Sequence, residues 1–131
     1  MTGGGGFRAA DGSKVSNEGF ELRCDVSDTR QNLEVNWGNG NKFHLDGVTA
    51  VTCYDNPAIN AKQPKSQFNT LVLSGTGRYN GQGGGTVQLL FSDAGEPGRN
   101  DGVQMVIKDS GGNVVLNVPQ TTLTNGNHQA H

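Results

Sequence analysis

Three carboxylates and a carboxamide lie between positions 93 and 101 of this chain: Asp93, Glu96, Asn100 and Asp101, in the run DAGEPGRND. Hard oxygen ligands converging from one loop are what calcium requires, and main-chain carbonyls would complete such a shell. The four side chains are therefore candidate calcium ligands, and no other cofactor is called for. Their spacing is not that of an EF-hand, which needs D-x-[DN]-x-[DN]-G and a distal Glu. The alternative is a turn between strands, in which Asp93 caps exposed amides while Glu96 or Asp101 pairs with Arg99 or Arg78.

The other reactive side chains form no comparable group. His44, His128 and His131 could ligate a transition metal, but residues three apart on a strand face opposite ways. Glu96 with Asp101 could act as an acid and a base only inside a cleft. Ser, His and Asp are all present, yet no G-x-S-x-G elbow occurs. A Lys–Asn crosslink through Lys14, Lys42 or Lys108 would need a lysine on an apolar phase, and none is. The glycines at 75, 77, 81 and 83–85 lack the helix and the Lys-Ser or Lys-Thr pair of a phosphate loop. No catalytic residue is assigned, and the expectation is a protein that is not an enzyme. Trp37 with Tyr54 or Tyr79 could offer a sugar-stacking platform, although Trp37 shares its phase with Leu33 and Val35 and so reads as core.

The elements that would position these residues are strands. Phe20, Leu22, Cys24 and Val26 alternate with polar residues, as do Leu33, Val35 and Trp37. Phe43 and Leu45, then Val51 and Cys53, follow across turns at Gly38–Asn41 and Asp46-Gly47. Strands over 70–79 and 86–93 flank a glycine-rich connection, and the alternate glycines Gly75 and Gly77 mark strong curvature. Val87, Leu89 and Phe91 face Val103, Met105 and Ile107, with Val114, Leu116 and Val118 beyond Ser110-Gly111-Gly112. Pro119 should end that strand. Asn125-Gly126 should turn a terminal hairpin. The stretch 55–68 reads as a crossover loop with one helical turn near Pro57–Ala61.

Nine or ten strands at spacings of roughly 8 to 14 residues make an all-β antiparallel domain, a sandwich in preference to a closed or partly open barrel. The 131 residues fit one domain. With 32% hydrophobic residues and 21 glycines the core must be lean. Residues 19–131 are expected to form the β domain. Residues 1–18 read as a flexible linker and lead-in, with Met1 a start codon placed on an excised domain. A net charge of −2 with ten scattered Lys and Arg excludes a nucleic-acid partner, and no apolar run is long enough for a membrane-spanning helix. Cys24 and Cys53 fall on apolar phases and could meet in the interior as a disulfide, the alternative being two buried free thiols.

Taken together, VNWGNGNKFHL, SGTGRYNG, FSDAGEPGRNDGVQMVIKDSGGNVVL and NGNHQAH resemble a β-rich, repeat-associated domain. Such domains lie toward the C-terminal end of large secreted or surface bacterial proteins, like those placed after choice-of-anchor modules. The likeness is most specific in D-x-G-E-P-G-x-x-D. It implies an exported bacterial protein, a location outside the cell or at its surface, and neighbouring domains as partners, with a glycan or protein ligand possible. It favours the Cys24–Cys53 disulfide and transfers no active site. The expected function is a non-catalytic structural or interaction module. The alternatives are a calcium- or carbohydrate-binding module using the 93–101 loop, or a hydrolase.

Overall fold

The computed structural model describes residues 1–59, 67–95 and 98–131, apart from the side chains of Glu18 and Arg99. The strands are β1 (Thr2–Arg8), β2 (Lys14–Glu21), β3 (Glu34–Trp37), β4 (Asn41–Tyr54), β5 (Thr70–Tyr79), β6 (Gln82–Ser92), β7 (Gly102–Lys108), β8 (Val114–Thr122) and β9 (Asn125–Gln129). One 3-10 turn covers Gly98–Asn100. From β1 to β8 each strand pairs antiparallel with its neighbour in sequence. β9 breaks this order by adding to the outer side of β1, which gives one nine-stranded sheet, β8-β7-β6-β5-β4-β3-β2-β1-β9.

That order forces the shape. β8 and β9 are the two edges of the sheet, yet only Leu123 and Thr124 separate them. The sheet must curl until its edges meet. At the junction the Thr124 N–H donates to the Gly6 carbonyl at 2.8 Å, and farther along the Ala10 N–H donates to the Asn117 carbonyl at 2.9 Å. The antiparallel all-β reading therefore holds. Of the two architectures weighed in sequence, this single curled sheet is the partly open barrel.

Alternation fills the interior. Phe7, Val15, Val35, Phe43, Leu71, Leu73, Val87, Leu89, Phe91, Val103, Met105, Ile107, Leu116 and Val118 are buried on the inward phase of β1 to β8. Burying side chains of this size contributes about 1.5–3 kcal/mol each, so this set dominates the stability. Curvature comes from glycine, as the alternate pair in β5 suggests. A Cβ at Gly75 would lie 2.6 Å from the Gly47 carbonyl oxygen and 2.7 Å from Leu45 Cδ1, and one at Gly77 would strike the Phe43 ring. Opposite them β4 bends without breaking. Its pairing to β5 shifts register between Leu45 and Gly47 and again between Val48 and Ala50, so Asp46-Gly47 is a bulge rather than a turn.

Four expectations are corrected. Residues 1–18 are not a linker, because Thr2–Arg8 is a strand paired on both sides and β2 begins at Lys14. Its glycines carry no side-chain pattern but permit close approach: a Cβ at Gly4 would lie 2.7 Å from the Gly19 nitrogen. Asn125-Gly126 makes no hairpin. It lies inside β9, where Gly126 has φ +90° and a Cβ would overlap the Gly4 carbonyl. Pro119 does not end its strand. β8 runs on to Thr122 across a register shift on an edge, where the missing N–H costs little. Finally, the first alternating run leaves the sheet after Glu21, so that Val26 is 51% exposed rather than inward. The 23–31 segment instead bonds to itself: Gln31 Oε1 accepts from the Arg23 N–H, and Gln31 Nε2 donates to the carbonyls of Arg23 and Asp25.

The Cys24–Cys53 disulfide is present, with a Cα–Cα distance of 5.6 Å. Its place differs from expectation. Cys24 is exposed, whereas Cys53 is half-buried on the inward phase of β4, opposite Leu71 and packed against the core, so the bond fastens the 22–33 loop to β4 at the margin of the interior rather than within it. The expected helical turn near Pro57–Ala61 falls partly outside the described residues. Its visible start is an Asx turn, with the Ala58 N–H donating to Asn56 Oδ1.

Candidate functional site

The 93–101 loop joins β6 to β7 at one end of the barrel, where β9 passes. Two aspartates fasten it there. Asp101 is completely buried, and its Oδ1 accepts from the Ala94 N–H while Oδ2 accepts from the His128 N–H, both at 2.7 Å. Asp93 repeats the pattern: Oδ1 accepts from the Gly95 N–H and Oδ2 from the Ala130 N–H, both at 2.8 Å. Each carboxylate bridges its own loop to β9 or the residue just past it. Charge-assisted bonds of this kind are short and contribute about 1.5–3 kcal/mol each. The backbone of Asp101 adds a third tie, its carbonyl accepting from the Leu123 N–H.

His128 completes the cluster. It is fully buried, with its ring 4.7 Å from that of Phe91 and 5.2 Å from that of Phe20. Nδ1 lies 3.2 Å from the Ser92 carbonyl, which can only accept, so Nδ1 carries the proton and Nε2 is the acceptor. Among the described residues Nε2 has no partner. Burial in this aromatic pocket pushes the imidazole pKa down to about 4, against the smaller opposing effects of the Ser92 carbonyl and the Asp93 charge. The ring is neutral at pH 7. Ser92 Oγ is also engaged, accepting from the Gly102 N–H at 2.9 Å.

Of the four candidate calcium ligands, then, the structure brings Asp93 and Asp101 to the same end of the barrel, with all four carboxylate oxygens accepting backbone N–H bonds. Asn100 is exposed on the 3-10 turn, and Glu96 lies outside the described residues. Among the described residues no group of three His, Cys, Asp or Glu side chains is arranged to hold a metal. The histidines do not converge. His44 lies 3.7 Å from Glu34 on the barrel wall, and His131 Nε2 meets Thr2 Oγ1 at 2.7 Å.

Lys42 pairs with Glu34 on the surface, which leaves its amine solvated rather than buried for a crosslink. Trp37 is buried and stacks on Tyr79, whose hydroxyl donates to Asn41 Oδ1. That ring pair belongs to the core. Tyr54 differs, being 41% exposed on the outer face of β4.

Sequence reasoning missed the partnership of His128 with the acidic loop, because the pairing depends on β9 docking beside residues far away in the chain. It also missed a surface feature that it could have found. β5, β6 and β7 each carry three consecutive apolar residues, Leu71-Val72-Leu73, Leu89-Leu90-Phe91 and Met105-Val106-Ile107. In a barrel wall the middle residue of each must face outward. No protein-family model matches the sequence, and no curated protein or solved structure matches it.

Proposed function

We propose that this chain is a non-catalytic β module of an exported bacterial protein, serving to space, present or bind rather than to transform a substrate. The observation that carries the reading is the use made of the acidic residues of the 93–101 loop. Asp93 and Asp101 hold the barrel's closing strand, with every carboxylate oxygen committed to a backbone amide. Groups so engaged are poor acids or bases for a substrate, because they would have to give up bonds that maintain the fold. An apolar interior packed from β1 to β8 supports the same reading.

The disulfide favours an oxidising compartment, since such bonds persist outside the cytosol and seldom within it. No helix among the described residues is long and apolar enough to cross a membrane. The resemblance to β-rich domains at the C-terminal end of large secreted or surface proteins fits this picture.

The test has two arms. Protease shaving of intact cells of the source organism, read with an antibody to this domain, should remove the epitope, and recovery of the intact domain in the cytosol would contradict export. Incubation of the purified domain with panels of ester, glycoside, peptide and phosphate substrates should give no turnover above background. Turnover above background that is lost in a variant of unchanged melting temperature would contradict the non-catalytic reading.

A further inference from the structure

Three adjacent strands place an apolar side chain on their outward phase, and their register brings these together. Val72 of β5 lies directly opposite Leu90 of β6, which lies opposite Gln104 of β7. On the other flank Val72 pairs with Thr52 of β4. The next outward row runs Ala50, Ser74, Gln88, Val106 across the same four strands. Val72 is 38% exposed, and Leu90 and Val106 are half-buried. A shallow cleft follows the three outer ridges, lined on this face by Val72, Ser74, Gln88, Leu90, Gln104 and Val106. Tyr54, two residues beyond Thr52 and so on the same face of β4, presents an exposed ring in the row next to that of Val72.

The two rows contain no charged residue. Elsewhere on the surface charge is common, as in Arg23 with Glu21, Arg30 with Asp28, Lys42 with Glu34, and Arg78 with Asp46. Within the cleft the amides of Gln88 and Gln104 and the hydroxyl of Ser74 make no side-chain hydrogen bond with the described protein, so their donors and acceptors face solvent. Beneath them β5 and β6 pair without a register shift from Thr70 to Gly77, and β6 and β7 from Thr86 to Phe91, which fixes the surface before any ligand arrives and lowers the ordering cost of binding.

We propose that this outer face of β4–β7 binds a neutral oligosaccharide. Sugar rings present apolar C–H faces edged by hydroxyls. Val72, Leu90 and the Tyr54 ring would meet the former, and Gln88, Gln104 and Ser74 the latter. The side chains lining the cleft itself carry no charge to compensate an anion for lost hydration, and the nearest cation on this face, Lys108, lies one row farther along, beyond Val106. A protein partner is less well matched, since of the residue types enriched at interface centres, Tyr, Trp, Phe, Met and Arg, Tyr54 alone lies exposed on this face among the residues named here. The proposal rests on the module reading and specifies its ligand.

The test is a two-dimensional amide NMR titration of the oxidised full chain with cellohexaose, maltohexaose and chitohexaose, and with dextran sulfate as the charged comparison. At least one neutral hexaose should shift the Val72, Leu90 and Gln104 backbone signals and the Gln88 and Gln104 side-chain amides, with saturation. Tyr54→Ala should weaken binding roughly 3- to 10-fold, the range of aromatic contact energies. Val72→Glu should abolish it at an unchanged melting temperature, and Gln88→Ala/Gln104→Ala should act in the same direction if the surface glutamate perturbs the sheet. Arg78→Ala should bind as the parent does. The site is overturned if no neutral hexaose binds, if shifts map elsewhere, if dextran sulfate competes at the same signals, or if those signals move with protein concentration alone, which would mark the face as a self-association surface. Cleavage of a hexaose during the titration would instead overturn the non-catalytic reading and leave the site standing, so the two failures are separable.

Discussion

The β5–β6–β7 ladder and the seam where β9 meets β1 close the same barrel by different means. In the ladder, Leu71, Leu73, Val87, Leu89, Phe91, Val103, Met105 and Ile107 are buried, and stability comes from apolar area removed from water. At the seam, β1 contributes glycine after glycine, β9 contributes one inward side chain of note, His128, and the fastening is done by Asp93 and Asp101 on backbone amides. Asn17 belongs to the same style, its Oδ1 accepting from the Gly5 N–H while its buried Nδ2 has no partner among the described residues. The ladder should therefore resist chemical change and yield to cavities. The seam should tolerate little change of charge or protonation. A curled sheet fastened in this way is only as stable as its polar side.

The largest effect is expected at Asp101. Asp101→Ala removes two charge-assisted bonds and strands the part-buried amide of Ala94 and the buried amide of His128, at a cost of about 3–6 kcal/mol. Urea unfolding checks it, with Leu73→Ala in the ladder as the comparison at about 2–5 kcal/mol. A loss under 1 kcal/mol at Asp101 would mean that the seam is held by something else.

Next is the disulfide. Its cysteines are 29 residues apart, and closing such a loop stabilises by roughly 3–4 kcal/mol in the chain-entropy model. Cys24→Ser/Cys53→Ser should lower the urea midpoint accordingly. Because the bond fastens the 22–33 loop to β4 and involves none of β5, β6 and β7, the inner amides of the ladder should keep their relative protection.

The pH effect follows in size. His128 is neutral in the fold with a pKa near 4, against about 6.5 when unfolded. Above pH 6.5 neither state takes the proton, and the stabilisation is complete. As pH falls from about 6.5 toward 4 the unfolded chain binds the proton first, so stability drops by about 1.4 kcal/mol per pH unit, roughly 3 kcal/mol in all. His128→Phe should flatten the curve between pH 6.5 and 4, whereas Leu73→Ala should shift it without changing its slope. The smallest effect concerns calcium. With all four oxygens of Asp93 and Asp101 accepting amides, the melting temperature should be the same in millimolar calcium and in EDTA, and a clear rise with calcium would restore the loop as an ion site.

The same contrast governs what the sequence could reveal. Val87, Leu89 and Phe91 against Val103, Met105 and Ile107 announce a ladder because burial on one face imposes period two, and a hairpin makes the partner local. Leu33, Val35 and Trp37 are legible for the same reason. Gly3 to Gly6 announce nothing, since a strand whose role is close backbone approach has no side-chain period, and its partner β9 lies at the other end of the chain. The acidic loop was visible as a cluster, but carboxylates that accept from backbone amides and carboxylates that ligate an ion are written with the same letters. Which of the two is present depends on where Ala94, Gly95, His128 and Ala130 point their N–H groups, and only the docking of β9 fixes that.

Amide hydrogen exchange of the oxidised chain at pH 7 and pH 5, compared after correction for intrinsic rates, tests the two-region account most directly. The account predicts that protection at pH 5 falls first in β9, in the Gly102 amide and in the 94–95 loop amides, while inner amides of β5, β6 and β7 exchange only with global unfolding. Uniform loss of protection across the barrel, or earlier loss in β5–β7 than in β9, would contradict it.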